Sequence, residues 1–165
     1  SNLSLRQEDC RQILDEYDRL ADYYLERRRL GKPFRFFHFK VDLTQGPCMK
    51  KRAAGCGAGT EYVAVTPGGD LYPCHQFVGN PRFMLGNVWE GITATPVREK
   101  FRQATIYHKE PCQSCWARYY CSGGCHANAW HSNRSILQPY EIGCRLEKGR
   151  IETALMLMAK ESEEV

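Results

Sequence analysis

The sequence lacks the features that would place the chain in a membrane or mark it for export. Its 165 residues contain no apolar run long enough to span a bilayer, and no apolar segment near the start resembles a secretory signal. A cytoplasmic location and no membrane partner are therefore expected. In that compartment cysteine thiols stay reduced, so disulfides are not expected.

Several functional motifs are also absent. No glycine-rich phosphate loop follows a predicted strand, no serine–histidine–aspartate arrangement stands out, and no internal repeat occurs. A c-type haem needs Cys-x-x-Cys-His, whereas the cysteine before Cys125 and His126 lies one residue too far away. The formal net charge is +4, but no basic block exceeds the three residues Arg27, Arg28 and Arg29, so no nucleic-acid partner is expected.

Cysteine, in contrast, is abundant: the chain has nine. Four of them lie within fourteen residues, and reduced thiols clustered in this way indicate metal ligation. Cys112 and Cys115 have the spacing at which one turn of chain directs two thiolates at one metal or cluster. Cys121 and Cys125 are four residues apart and would share one face if that segment were helical. The other candidate ligands are Cys48, Cys56, Cys74 and Cys144.

Eight cysteines can form two four-coordinate sites, which leaves Cys10 over. Cys10 falls on the apolar stripe of a predicted helix, so it is assigned to the core. Zinc and iron–sulfur clusters both accept four thiolates, and spacing alone does not choose the partners of Cys112 and Cys115. No histidine stands at zinc-finger spacing, which favours iron–sulfur clusters. Two clusters of net charge about −2 each would also offset the positive charge of the chain.

The residue pattern predicts an α+β fold. We expect a small, irregular domain organised by its metals, with a β-hairpin between a long N-terminal helix and a C-terminal helix. The N-terminal helix is predicted over residues 4–30, with Ser4 and Gln7 as a capping box. The hairpin is predicted over residues 61–74, with Pro67-Gly-Gly-Asp70 as its turn, so that Cys74 ends its second strand.

Three further elements are predicted with the same rules. The aromatic residues 34–43 predict a strand, in which His38 is a hydrogen-bonded polar residue on one face. A short strand is predicted near residues 85–89, and a helix over 95–104 with Pro96 at its first position. The last helix is predicted over residues 141–161, with Ile151, Leu155 and Met158 on its core face. A loop rich in glycine and alanine is expected around Cys48 and Cys56.

The order and spacing of the cysteines resemble the SPASM signature. The matching pattern is Cys56, twelve residues, Gly69, four residues, Cys74, a gap, Cys112-x2-Cys115-x5-Cys121-x3-Cys125, a gap, and Cys144. SPASM domains are the auxiliary-cluster domains at the C-terminus of peptide-modifying radical S-adenosylmethionine enzymes. The segments Cys74-His-Gln-Phe-Val-Gly79 and Tyr120-Cys-Ser-Gly-Gly-Cys-His-Ala-Asn-Ala129 resemble those of the SCIFF maturases, which install thioether crosslinks in a six-cysteine ribosomal peptide.

The resemblance implies two four-iron four-sulfur (4Fe–4S) clusters. The first cluster would be held by Cys56, Cys74 and Cys125, with Cys48 as the fourth ligand. Alternatively, Cys48 swings away and the open iron takes a thiolate of the substrate. The second cluster would be held by Cys112, Cys115, Cys121 and Cys144. Zinc can replace the clusters in protein prepared in air.

The resemblance covers residues 34 to about 160 and implies that the chain is a fragment. Residues 1–44 would be the tail of a preceding radical S-adenosylmethionine barrel, and residues 45–165 the SPASM domain with its two clusters. The catalytic cluster of such barrels uses Cys-x3-Cys-x2-Cys, and the segment from Cys121 to Asn128 fails at the third cysteine. S-adenosylmethionine is therefore expected only in the barrel, and the fragment alone should be inactive.

The implied partners are the barrel of the same protein and a cysteine-rich precursor peptide. The barrel would make a 5′-deoxyadenosyl radical that abstracts hydrogen from a peptide carbon, and a peptide thiolate would then bond to that carbon. The auxiliary clusters would orient the thiol, accept the remaining electron, or both.

Other functions remain open from the sequence. Sulfatase-maturing relatives carry aspartate directly after the cysteine that corresponds to Cys74, where this chain has His75, so a sulfatase maturase is a less favoured alternative. A non-catalytic zinc-binding interaction module is the alternative from another class. A simple electron-transfer ferredoxin is disfavoured because the long N-terminal helix has no role in one.

Overall fold

A computed structural model of the chain describes residues 5–41 and 48–163 and has an α+β fold. Contacts divide the chain into two compact units, one formed by Ser1–Gly46 and Glu141–Val165 and the other by Pro47–Tyr140. The predicted boundary between a barrel tail and a cluster domain near residue 45 concerns a longer protein and stays a prediction. Among the described helices, none is both long and apolar enough to cross a membrane.

The described residues form seven α-helices and four strands. In chain order the elements are α1 (Gln7–Arg29), α2 (Met49–Ala54), β1 (Ala64–Val65), β2 (Asp70–Tyr72), β3 (Gly86–Asn87), β4 (Gly91–Ile92), α3 (Thr95–Gln103), α4 (Glu110–Gln113), α5 (Arg118–Cys121), α6 (His126–Asn133) and α7 (Glu141–Glu163). Short 3-10 turns cover Phe37–Phe39, His75–Phe77 and Pro81–Phe83.

The first unit is built on the packing of α1 against α7. Its core contains Ala21, Leu25, Phe39 and Leu157. Cys10 is fully buried on α1, and its thiol lies 3.7 Å from the carbonyl oxygen of Arg6. Its assignment to the core is therefore confirmed.

The start of α1 differs in detail from its prediction. The backbone N–H of Arg6, the residue before the helix, donates to the Asp9 carboxylate at 2.7 Å. An acidic side chain of the first turn therefore accepts this backbone hydrogen bond. Ser4, the predicted cap, lies outside the described residues. Gln7 begins the helix, and its side-chain oxygen accepts a hydrogen bond from Arg145 at 3.3 Å.

The predicted strand over residues 34–43 is wrong for the part that the structure describes. Residues 37–39 instead form a 3-10 turn, and residues 42 and 43 lie outside the described ranges. Phe36 and Phe39 pack their rings around Tyr17 of α1, so their burial comes from a helix face rather than from a sheet. His38 is hydrogen-bonded, as predicted, with its Nδ1 against the hydroxyl of Tyr17.

The predicted C-terminal helix is confirmed as α7, with a small shift of its buried face. Ile151 is fully buried, as expected. Leu157 joins it in the core, whereas the expected core residues Leu155 and Met158 are only half-buried.

The second unit contains an antiparallel sheet in the order β1-β2-β3-β4. The predicted hairpin is confirmed: Ala64 pairs with Tyr72 and Val65 with Leu71. The predicted strand near residues 85–89 is β3, while β4 was not predicted. At the hairpin turn Gly69 has φ +84°, and an added Cβ would lie 2.7 Å from the Trp89 ring, so this turn requires glycine.

The core of the second unit lies under this sheet and beside α3. Phe77 packs against Phe83 and Phe101 with ring centroids 4.3 and 5.4 Å away. The helix α3 has Pro96 in its first turn, as predicted. Cys74 belongs to this core, as do Ala58 and Ala127, which lie two residues after Cys56 and Cys125.

Candidate metal centre

The segment that carries Cys48 and Cys56 is more ordered than the predicted glycine-rich loop. Cys48 is exposed and directly precedes α2, which was not predicted. The Ala53 carbonyl accepts a hydrogen bond of 3.0 Å from the N–H of Ile106. A Cβ on Gly55 would lie 3.1 Å from the Ser122 carbonyl oxygen. The segment before Cys56 is therefore held beside the loop that joins Cys121 to Cys125.

Cys74 follows β2, where the chain turns from the sheet into a 3-10 turn. Burial raises the pKa of its thiol, as do the neighbouring charges of Cys125 and Cys56. Backbone hydrogen bonds with Gln76 and Phe77 lower the pKa by stabilising the thiolate. Backbone N–H groups directed at a sulfur are the donors that iron–sulfur sites use to adjust their potential.

The loop before Cys125 is not the helical turn that its spacing would allow. The helix α5 ends at Cys121, and Ser122, Gly123 and Gly124 then have φ of +58°, +83° and +71°. Cys125 is the residue before α6, and its carbonyl accepts the Ala129 N–H at 3.0 Å. A left-handed loop, not a shared helix face, therefore separates Cys121 from Cys125.

The surroundings of the Tyr62 hydroxyl show which cysteine thiols lie close together. Its hydroxyl is 3.8 Å from the Cys56 sulfur. Burial, this hydrogen bond and the charges of Cys56, Cys74 and Cys125 raise the pKa of Tyr62 to about 12. The structure thus brings into mutual electrostatic range three cysteines from three separate segments: the loop after α2, the end of β2 and the start of α6.

These three thiols have the chemistry that an iron–sulfur cluster takes. Thiolates around one zinc lie about 2.3 Å from the metal and hence about 4 Å from one another. Within residues 5–41 and 48–163, no three histidine, cysteine, aspartate or glutamate side chains are placed so that they could hold one metal ion. A 4Fe–4S cluster spreads its ligands more widely, and thiolates with N–H donors are the set it takes. Ligation by each cysteine, including Cys48, stays a prediction.

The other predicted ligands lie in two places. Cys112 is in α4 and buried beside Ala53 and Ile106. The N–H of Cys115 donates to the Cys112 carbonyl at 3.1 Å, which gives the tight turn that their spacing predicts. Cys115 and Cys121 are half-buried. Cys144 lies in α7, in the other unit, and its place in a cluster stays a prediction.

A buried lysine links these cysteine segments. Lys109 is 0% exposed, and its ammonium donates to the Gly123 carbonyl at 2.7 Å. It also lies 3.4 Å from Nδ1 of His126, which is buried. Burial, followed by the charge of Lys109, lowers the pKa of His126 to about 4, so this imidazole is neutral at pH 7.

Tyr62, Lys109 and His126 were not identified as site residues from the sequence. A signal was present for Lys109 and His126, since each lies within three residues of a candidate ligand. Tyr62 carried no such signal, because its approach to Cys56 depends on how the glycine-rich loop folds. His75, in contrast, is exposed and lies 3.1 Å from the side-chain nitrogen of Gln76.

Comparison with known proteins agrees with this chemistry. The family model of the SPASM domain, described as an iron-sulfur cluster-binding domain, matches residues 56–116. The chain is 36% identical over 95 residues to the antilisterial bacteriocin subtilosin biosynthesis protein AlbA of Bacillus subtilis, a match that covers 53% of this chain and 20% of that protein. It is 30% identical over 100 residues to the PqqA peptide cyclase of Granulibacter bethesdensis, covering 54% of this chain and 26% of that protein.

A further PqqA peptide cyclase, from a Methylobacterium species, is 34% identical over 83 residues, covering 47% of this chain and 22% of that protein. The matched part therefore spans only about a quarter or less of the length of each of these relatives. The comparisons bear out the SPASM resemblance seen in the cysteine spacing. Residues 56–116 thus match the iron–sulfur cluster-binding SPASM domain, and the relatives are proteins named for bacteriocin biosynthesis and peptide cyclisation.

Proposed function

We propose that this chain is the auxiliary-cluster part of a radical S-adenosylmethionine enzyme that forms cysteine thioether crosslinks in a ribosomal peptide. The observation that carries the proposal is the convergence of Cys56, Cys74 and Cys125 on Tyr62: its hydroxyl lies 3.8 Å from the Cys56 sulfur, and all three thiols lie close enough to contribute to its raised pKa. The names of the relatives add support, because they describe proteins of peptide modification and bacteriocin biosynthesis.

In this proposal the first 4Fe–4S cluster is held by Cys56, Cys74 and Cys125, with Cys48 as its fourth ligand. The second cluster is held by Cys112, Cys115, Cys121 and Cys144. When bound, such clusters transfer single electrons, and an iron without a protein ligand can hold a thiolate. Cys48, Cys56 and Cys125 are exposed whereas Cys74 is buried, so exposure allows Cys48 to exchange with a thiol of the substrate and disfavours only Cys74.

The residues of the chain itself have three tasks in this function. Backbone bonds to Cys74 stabilise its thiolate, and the Tyr62 hydroxyl donates a hydrogen bond to the Cys56 sulfur. Lys109 places a buried positive charge beside the loop from Cys121 to Cys125. The rings of Phe77 and Phe101 keep one side of the site dry. The barrel, S-adenosylmethionine and the precursor peptide all belong to the proposed whole enzyme.

The test uses the full-length enzyme that contains this chain and its precursor peptide. Each thioether removes two hydrogen atoms from the peptide and makes one thiol unreactive to alkylation, and both changes are read by mass spectrometry. We expect the double substitution of Cys74 and Cys125 by alanine to abolish crosslinking while the barrel still cleaves S-adenosylmethionine. Unchanged crosslinking in that variant would refute the proposal.

A further inference from the structure

A pocket of about 420 Å³ lies in the second unit, beside α3 and α6, and takes no part in the proposed cluster chemistry. Its apolar floor is formed by Phe83, Phe101, Trp130 and Ile136. The rings of Phe83 and Trp130 meet edge to face, with centroids 4.8 Å apart. Phe83, Phe101 and Ile136 are buried, so the floor is fixed by the core before any ligand arrives.

The rim of this pocket is cationic. Arg82, Lys100 and Arg134 line it, and no aspartate or glutamate is among its lining residues. All three cations are exposed, and the described ion pairs include none of them. Three cations around an apolar floor are complementary to a ligand that presents carboxylates beside apolar side chains.

The pocket shares a wall with the candidate metal centre. One face of Phe101 contributes to the pocket floor, and its ring also contacts His126 with centroids 5.6 Å apart. His126 directly follows Cys125. On the side of Cys56, a Cβ added to Gly59 would lie 3.2 Å from the Phe101 ring. A ligand in the pocket would therefore be one aromatic ring away from His126, which adjoins Cys125, and from Gly59, three residues after Cys56.

We propose that this pocket binds a peptide segment in which acidic side chains alternate with large apolar ones. The inference rests on the proposed function, because a peptide is the substrate class it assigns. The apolar side chain enters the space over Phe83 and Trp130, and the carboxylates pair with Arg82, Lys100 and Arg134. The pocket thereby holds the precursor peptide beside the first cluster site.

The test measures binding, which needs neither the barrel nor S-adenosylmethionine. The probes are three fluorescein-labelled peptides of equal length that alternate leucine with glutamate, with glutamine or with lysine. Each is titrated by fluorescence anisotropy with the full chain, prepared without oxygen and with iron and sulfide restored. We expect the glutamate peptide to bind and the lysine peptide not to bind, with binding that weakens as salt is raised.

Two charge reversals locate the site. We expect the double variant Lys100→Glu and Arg134→Glu to weaken glutamate-peptide binding by about tenfold or more, because each reversal replaces an attraction with a repulsion. The matched control is Arg102→Glu, on the same helix but outside the pocket lining, and it should change binding by less than about threefold. Circular dichroism and iron content of each variant verify that its fold and clusters are intact.

Equal binding of all three peptides, or equal effects of the double variant and the control, would overturn the inference. Iron and sulfide content is read on the same samples. If the unsubstituted chain binds the glutamate peptide selectively but takes up no iron and sulfide, the proposed function is refuted. If it takes up both but does not distinguish the peptides, only the proposal for the pocket is refuted.

Discussion

The ammonium of Lys109 donates a hydrogen bond of 2.7 Å to the carbonyl of Gly123, in the middle of the loop that joins Cys121 to Cys125. The backbone carbonyl of Lys109 accepts a hydrogen bond of 2.8 Å from the N–H of Cys112. One buried residue thus connects the two ends of the cysteine-rich segment. A buried cation beside this loop would stabilise the anionic cluster proposed at Cys56, Cys74 and Cys125.

Replacement of Lys109 by methionine is expected to lower stability. Methionine keeps most of the apolar stem but removes the donor to Gly123 and His126, and buried acceptors that lose a donor cost about 1–3 kcal/mol. The measurement is the free energy of unfolding in urea, without oxygen. Lys100→Met, on the surface of α3, is the control and should change it by less than about 0.5 kcal/mol. Equal stability of the two variants would contradict the role given to Lys109.

Removal of a proposed ligand should remove one cluster only. We expect Cys74→Ala to lose about four irons per chain, because one cluster contains four. Cys10→Ala is the matched control: Cys10 is also buried, but lies on α1 in the first unit, and its variant should keep its full iron content. The measurement is the iron and acid-labile sulfide content per chain of both variants. An iron loss in both variants would show that destabilisation, not ligation, causes it.

The left-handed loop provides a test of local geometry. Gly123 has φ +83°, and a Cβ there would lie 3.3 Å from Ile106 and from Lys109 Nζ, whereas a Cβ on Gly124, at φ +71°, meets nothing within 4 Å. At both positions alanine must adopt a left-handed backbone conformation, which costs about 1 kcal/mol of folding free energy. We expect Gly123→Ala to be the more destabilising of the two in thermal unfolding. The reverse order would contradict the packing of Lys109 against this loop.

The pH response of the first unit should follow His38. Burial and the charge of Arg150 lower the pKa of His38, and Glu147 opposes them. Tyr17 faces the same ring. Since the folded state favours the neutral imidazole, stability should fall as the pH drops below the ordinary histidine pKa of about 6.5 and level off below the folded value. An NMR titration of the His38 ring checks this, and a folded pKa above 6.5 would contradict it.

Much of the fold could be predicted because local patterns and structure agree. The spacing of apolar residues on the face that includes Cys10 correctly predicted α1. The residues Pro67-Gly-Gly-Asp70 correctly predicted the turn between β1 and β2. The strand expected over residues 34–43 failed because aromatic residues suit any large apolar surface. Here that surface is α1, with Tyr17 and Tyr24 in contact with Phe39.

The candidate site could be predicted as a set of cysteines but not as a geometry. Spacing identified the pair Cys112 and Cys115, since a two-residue interval constrains a turn. It did not show that Cys56, Cys74 and Cys125 lie together, because their approach depends on the sheet and on α2. The grouping came from family resemblance. The roles of Tyr62 and Lys109 required the folded chain, since hydrogen bonds across the site have no sequence period.

The measurement that tests the central claim most directly is the content of iron, acid-labile sulfide and zinc per chain, in protein purified and reconstituted without oxygen. The account predicts about eight irons and about eight sulfides with no zinc, as two 4Fe–4S clusters require. About two zincs and no sulfide, unchanged after attempted reconstitution, would contradict it and make the chain a structural zinc module.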